Sequence, residues 1–214
     1  PTSGEATTIS AKITDPDGVA SVNLLYQIVA PGDFIPAFLP NPFGTLTSNP
    51  DAPQQANPAF VNPTSWVTAA MAGSGDGIYS AQIPAQPNRT LVRYRIVATD
   101  ALTRSVRVPY ADDASLNFAY FVYDGVPDYV TSTKTHSAEI LTALPVYTMI
   151  TRDDDRAYAY AYSSTGDGGF QIGKSSAARG TYNWECALVY DGIVYDHVGW
   201  RLRQNNDRYA GNGK

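Results

Sequence analysis

The chain has 214 residues, a net charge of −5 and 16% charged residues, with 15 Tyr, 15 Pro and 17 Gly. That length supports one or two domains with real cores, and the composition is that of a β-rich, loop-rich globular protein, not a disordered or coiled-coil one. The acidic balance argues against nucleic acid as a main partner, since phosphate binding needs a basic face. No apolar run approaches the ~18 residues that a membrane span needs.

Residues 1–123 read as an all-β module whose strand spacing suggests a β-sandwich. Thr7, Ile9, Ala11 and Ile13 alternate with Thr8, Ser10 and Lys12, and Asp15-Pro16-Asp17-Gly18 then turns the chain. Val22, Leu24, Tyr26 and Ile28 alternate with Ser21, Asn23 and Gln27 in a second strand. Further strands are expected over 65–71, 77–83, 91–99 and 117–122, each bounded by turn residues. A Pro/Phe-rich insertion at 30–63 interrupts this order; a packed loop is expected there, held by Phe34, Phe38, Phe43 and Phe60, with a contact surface as the alternative.

A junction is expected over 123–130, where Gly125 and Pro127 break any strand. Residues 124–214 then read as a partial α+β segment. Ser137 can cap one or two helical turns reaching Ala143, and Leu144 to Thr151 reads as a strand. Asp153-Asp154-Asp155 follows, then the Ala/Tyr alternation of 157–162 and a Gly/Ser loop over 163–181. The chain finishes in ALVYDGIVYDHVGWRLRQNNDRYAGNGK. Asp191-Gly192 suits a two-residue type I′ turn, because both central residues need positive φ. That turn sets Val189 opposite Val194 and Leu188 opposite Tyr195. Val194, Val198, Trp200 and Leu202 then share one face, with Tyr195, His197, Arg201 and Arg203 on the other.

Four groups could carry chemistry. Arg201, Arg203, Arg208 and Lys214 flank a polar, Gly-containing loop of the kind that presents N–H groups and a Lys to phosphate; solvated arginines on an outer strand face are the alternative. Asp15 and Asp17, joined by Asp100, offer hard oxygens to Ca²⁺, although the Asp-Pro-Asp-Gly turn needs no metal. The run Asp153–Asp155 could hold Mg²⁺ or be a solvated loop tip. Residues 168–175 satisfy the Walker A pattern formally, but no buried strand precedes it and no helix follows, so a chance match is expected. His136 and His197 assemble no nucleophile triad and no zinc site. Cys186, the single cysteine, is expected to be buried and inert, and it excludes a disulfide framework. Asn88-Arg89-Thr90 is a glycosylation sequon.

The segment YDGIVYDHVGWRLR with its following loop and NGK resembles the N-terminal part of the CotH family of atypical, secreted or surface-associated bacterial protein kinases. Residues 144–150, LPVYTMI, resemble the strand that opens that domain. Gln204 departs from the family pattern, which often has Gly there. The order of strands in 1–123 likewise resembles immunoglobulin-like or fibronectin III-like modules of bacterial surface proteins. The resemblance implies a nucleotide site in which Arg203, Asn205, Arg208 and Lys214 lie near the phosphates of ATP with Mg²⁺. It also implies that metal ligands and a base come from a second lobe after Lys214, so the chain reads as truncated and inactive alone. Extracellular or surface proteins are the implied partners. The rival expectation is a non-catalytic structural or adhesive module making protein or glycan contacts.

Overall fold

The structure is a computed structural model, and its described residues are 1–39, 55–156 and 184–200. It is mainly β and built of antiparallel sheets. In chain order the strands are β1 (Thr7–Lys12), β2 (Val19–Val29), β3 (Phe38–Leu39), β4 (Gln55–Ala56), β5 (Val67–Ala70), β6 (Ala72–Gly75), β7 (Ile78–Ile83), β8 (Leu91–Asp100), β9 (Ser105–Val108) and β10 (Phe118–Phe121). After them come β11 (Tyr129–Val130), β12 (Thr135–His136), β13 (Thr148–Ile150), β14 (Trp184–Tyr190) and β15 (Ile193–Trp200). Among the described residues there are also two single-turn helices, α1 (Pro58–Val61) and α2 (Ala138–Leu141), a 3₁₀ turn at Pro63–Ser65 and a helical turn at 153–156.

The chain divides into two compact units that interleave in sequence. Residues Pro1–Gly32, Pro63–Thr148 and Leu188–Asp196 form the first; Asp33–Asn62, Met149–Ala187 and His197–Lys214 form the second. The insertion expected at 30–63 thus falls mostly in the second unit, and the tip of the β14–β15 hairpin falls in the first.

Two sheets enclose the core of the first unit, which also holds the small β11-β12 pair. One has the order β1-β7-β6; the other has β10-β8-β2-β5, with β9 also pairing β8. Period-2 alternation explains the core between them. Val22 and Leu24 of β2, Val92 and Ile96 of β8, and Ile83 of β7 are buried in one cluster, against which Ile9, Ala11, Tyr79 and Ala81 pack. The DPDG turn forms as the sequence demands: the Gly18 N–H donates to the Asp15 carbonyl at 3.1 Å, with Gly18 at φ 90°. Two strands of these larger sheets escape pattern reading, as do the two-residue strands β3, β4, β11 and β12. Residues 72–75, Ala-Gly-Ser-Gly, have no alternation to detect, and 105–108 are only four residues long.

In the second unit, Asn57 caps α1 by accepting from the Ala59 N–H, and Pro58 opens the helix. The Asn57 amide also donates to the Pro36 carbonyl at 2.7 Å, which pins the two arms of the insertion together. Phe34 and Phe60 are buried, Phe38 is exposed, and Phe43 lies outside the described residues. Ser137, in the first unit, caps α2 through the Ile140 N–H, as its sequence position implies. The strand expected over 144–151 is confined to Thr148–Ile150, with Leu144 and Tyr147 exposed. The expected elements at 157–162 and 163–181 lie outside the described residues.

Candidate functional site

The hairpin turn forms where the sequence places it. Strand β14 ends at Tyr190 and β15 begins at Ile193, leaving Asp191 at φ 50° and Gly192 at φ 75°. Both values are those of a type I′ turn, whose twist matches the flanking strands. Tyr147 stacks on Tyr190 beside it, with ring centroids 4.5 Å apart.

Asp196, in the first unit's share of this hairpin, has the parity of Val194, and its side chain is almost wholly enclosed. It meets Arg93 of β8 in a two-point ion pair, Nε to Oδ2 at 2.7 Å and Nη2 to Oδ1 at 3.0 Å. The Arg93 side chain is 0% exposed and that of Asp196 is 6%. Gln27, directly across the β2–β8 ladder from Arg93, accepts from Nη1 at 3.2 Å, and the Asn117 amide donates to Asp196 Oδ2 at 3.0 Å. A buried charge is tolerated when its partner and its remaining bonds are all supplied, as here. Two places along β8, Arg95 lies 4.0 Å above the Trp66 ring and donates to the Leu116 carbonyl at 2.9 Å. Burial, then the charges of Arg107 and Arg93, lower its pKa to about 10.

The carboxylates of Asp15, Asp17 and Asp100 converge, with ligand atoms within 4.8 Å of one another. Sequence reading brought these three together correctly but missed the residue between them. Arg104 bonds to Asp17 through Nη2 and to Asp100 Oδ2 through Nε at 2.5 Å. Asp100 Oδ1 also accepts the N–H groups of Leu102 and Arg104, each at 2.8 Å. Burial raises the Asp100 pKa, but these bonds and the Arg104 charge outweigh it and hold the carboxyl below its ordinary range. The donor set is therefore already engaged by a cation of the protein's own. The readable signal was an Arg four places after an Asp across a short turn.

Among the described residues this is the one group of three potential metal ligands. In the Asp153–Asp155 run, Asp155 is buried and held at two points by Arg152, and Asp153 pairs with Arg156. That run is therefore not simply a solvated loop tip.

His197 of the second unit sits inside a strand at φ 58°, a left-handed conformation rare for a residue with a Cβ. Its Nδ1 is bonded to Glu185 Oε1, and the Phe60 ring meets it edge-on with centroids 4.9 Å apart. Glu185 in turn accepts the N–H of Ala37 at 2.8 Å and of Phe38 at 3.2 Å. His136, of the first unit, lies in β12 beside Tyr129. Cys186 is buried and is a thiol, not half of a disulfide. The Thr90 of the sequon is buried, and Asn88 Oδ1 accepts the Asp124 N–H at 3.1 Å.

Arg201, Arg203, Asn205, Arg208 and Lys214, together with the formal Walker A pattern at 168–175, lie outside the described residues. No helix among the described residues is long and apolar enough to cross a membrane. No protein-family model matches this chain, and no curated protein matches it either.

Proposed function

We propose that this chain is the N-terminal part of a secreted or surface-associated CotH-like atypical protein kinase, with an immunoglobulin-like module as its spacer or recognition element. The observation that carries the reading is the type I′ hairpin at Asp191-Gly192, formed in the YDG segment on which the resemblance rests. The strand pairing supports the module. Strands β1, β7 and β6 pair as B, E and D of an immunoglobulin-type fold would, and β5, β2, β8 and β9 as C′, C, F and G would.

In this reading Arg203, Asn205, Arg208 and Lys214 cradle the phosphates of ATP with Mg²⁺, and the catalytic acid residues come from a second lobe. Binding of a fluorescent ATP analogue with Mg²⁺ to the natural protein that carries this sequence is the test. Saturable binding that Lys214→Ala abolishes is expected; absence of binding ends the enzymatic reading.

A second reading, a non-catalytic surface module, is favoured by two exposed aromatic side chains, Tyr110 and Phe118, beside one groove. Within the insertion, Phe34 and Phe60 are buried, while Phe38 and Val61 are exposed.

A further inference from the structure

Between β9 and β10 the chain leaves the edge of its sheet and makes a loop over residues 109–117, which borders a groove of about 670 Å³. That volume lies in the range of small-molecule sites, which are mostly apolar with a few placed polar groups. All of its lining residues belong to the first unit.

The loop is tied down from behind. Arg107 donates to the carbonyls of Pro109 at 3.1 Å and Tyr110 at 3.3 Å, and Arg95 to that of Leu116 at 2.9 Å. The Tyr110 N–H donates to Asp113 Oδ2 at 2.9 Å, and the Asp113 N–H returns to the Tyr110 carbonyl at 3.2 Å. These bonds use the backbone of Tyr110 and leave its ring 54% exposed. Phe118 is 41% exposed and leans against its cross-strand partner Tyr94, with centroids 5.3 Å apart. A loop fixed in this way loses little freedom when something settles against it.

The chemistry of the lining selects the occupant. The rings of Tyr110, Phe118 and Tyr94 offer flat apolar faces. The described polar side chains are a carboxylate, Asp113, which only accepts, the Ser115 hydroxyl, the phenolic hydroxyls of Tyr94 and Tyr110, and the Asn117 amide, whose nitrogen donates to Asp196 and Phe118. Among the described residues the groove's lining holds no cation: Arg95 and Arg107 serve the loop backbone instead. An anion finds no counter-charge among these described residues. A neutral sugar chain fits both features, since its C–H faces stack on rings and its hydroxyls donate to acceptors.

We propose that the groove beside residues 109–117 binds a neutral oligosaccharide. The site deepens the surface-module reading by giving it a ligand class and a place, and it stands whether or not the chain has a nucleotide site. Amide NMR spectra of the whole chain, titrated with cellotetraose and with chitotetraose, test it, with decaproline and a hexuronate tetramer as comparators. A neutral sugar should shift amides of 108–119 saturably, and Tyr110→Ala should weaken it by about 2- to 10-fold, the worth of one ring contact. Phe118→Leu, which keeps bulk and loses the ring, should weaken it similarly with the rest of the spectrum unchanged. Silence toward both sugars at millimolar concentration, shifts that survive Tyr110→Ala, or binding of decaproline or the hexuronate alone would each overturn the proposal.

Discussion

Arg93 and Asp196 are 103 residues apart in sequence and form a two-point ion pair from which water is almost wholly excluded. Removing one partner strands the other charge in the interior. Asp196→Ala should therefore destabilise the protein by about 3–5 kcal/mol, whereas replacing both residues with apolar ones of similar size should recover much of that loss. Urea denaturation of the two single variants and the double variant measures it. Single variants no less stable than the double would show that the pair carries no coupling.

Two glycines separate backbone strain from crowding. A Cβ on Gly192, at φ 75°, meets nothing within 4 Å, so Gly192→Ala should cost only the left-handed conformation, about 1–2 kcal/mol. On Gly77, at φ 73°, the same atom would lie 2.9 Å from the Ile13 carbonyl oxygen and from Thr14 Cγ2. Gly77→Ala should be the more damaging of the two in thermal denaturation, and the reverse order would contradict the account.

At His197 the strain and the contact oppose one another. His197→Ala keeps the left-handed backbone and loses the bond to Glu185, while His197→Gly loses the bond but relieves the backbone. Gly should therefore be better tolerated than Ala by about 1 kcal/mol, the reverse of the usual order within a strand. Paired melting curves decide this.

Acid acts through Asp100 and Asp124. Both carboxyls lie below their ordinary range: Asp100 because the bonds and charge at Arg104 and Leu102 outweigh burial, Asp124 because the Ser3 hydroxyl and N–H do so. A carboxyl lowered on folding stabilises fully above its unfolded pKa, and that contribution disappears as pH falls below about 4. The stability difference between the parent and Asp100→Asn should accordingly shrink in acid. Ca²⁺ must displace Arg104 to use these carboxylates, so calorimetry should find Arg104→Gln the better Ca²⁺ binder of the two.

Alkali works through the core tyrosines. Burial raises the pKa of Tyr94 and of Tyr120. The unfolded chain then loses phenolic protons first, so stability falls as pH rises above about 10. Arg95, at about 10, has the opposite sign, because its charge costs least once it is lost. Phenolate absorbance should show a late-titrating class that becomes ordinary in denaturant, and Tyr120→Phe should make that class smaller.

Much of the first unit was legible because its strands alternate cleanly and end at turn residues with one purpose, as at Asp15–Gly18 and Asp191-Gly192. The polar interior was not. Asp196 lies among Val194, Val198 and Trp200, and a hydrophobic pattern passes over it; only its parity with Val194 marks it as enclosed. Arg93 likewise reads as an outward charge in LVRYRIV until Gln27 and Asn117 are known to stand beside it. Ion pairs and networks depend on long-range neighbours, to which periodicity is blind. The same limit hid Arg104 among the carboxylates and Glu185 beside His197.

The order in which the chain is made gives the Arg93 pair a further meaning. At synthesis rates of about 5–20 residues per second, the 103 residues between Arg93 and Asp196 take about 5–20 s to appear. Strands β2 and β8 are complete long before that, yet Asp196, which pairs with the guanidinium that their sheet encloses, has still to be made. Through that interval the nascent sheet must keep one face wet. Its closure waits for a hairpin made near the end of this sequence, so a ribosome stall in the intervening stretch should hold the first unit open.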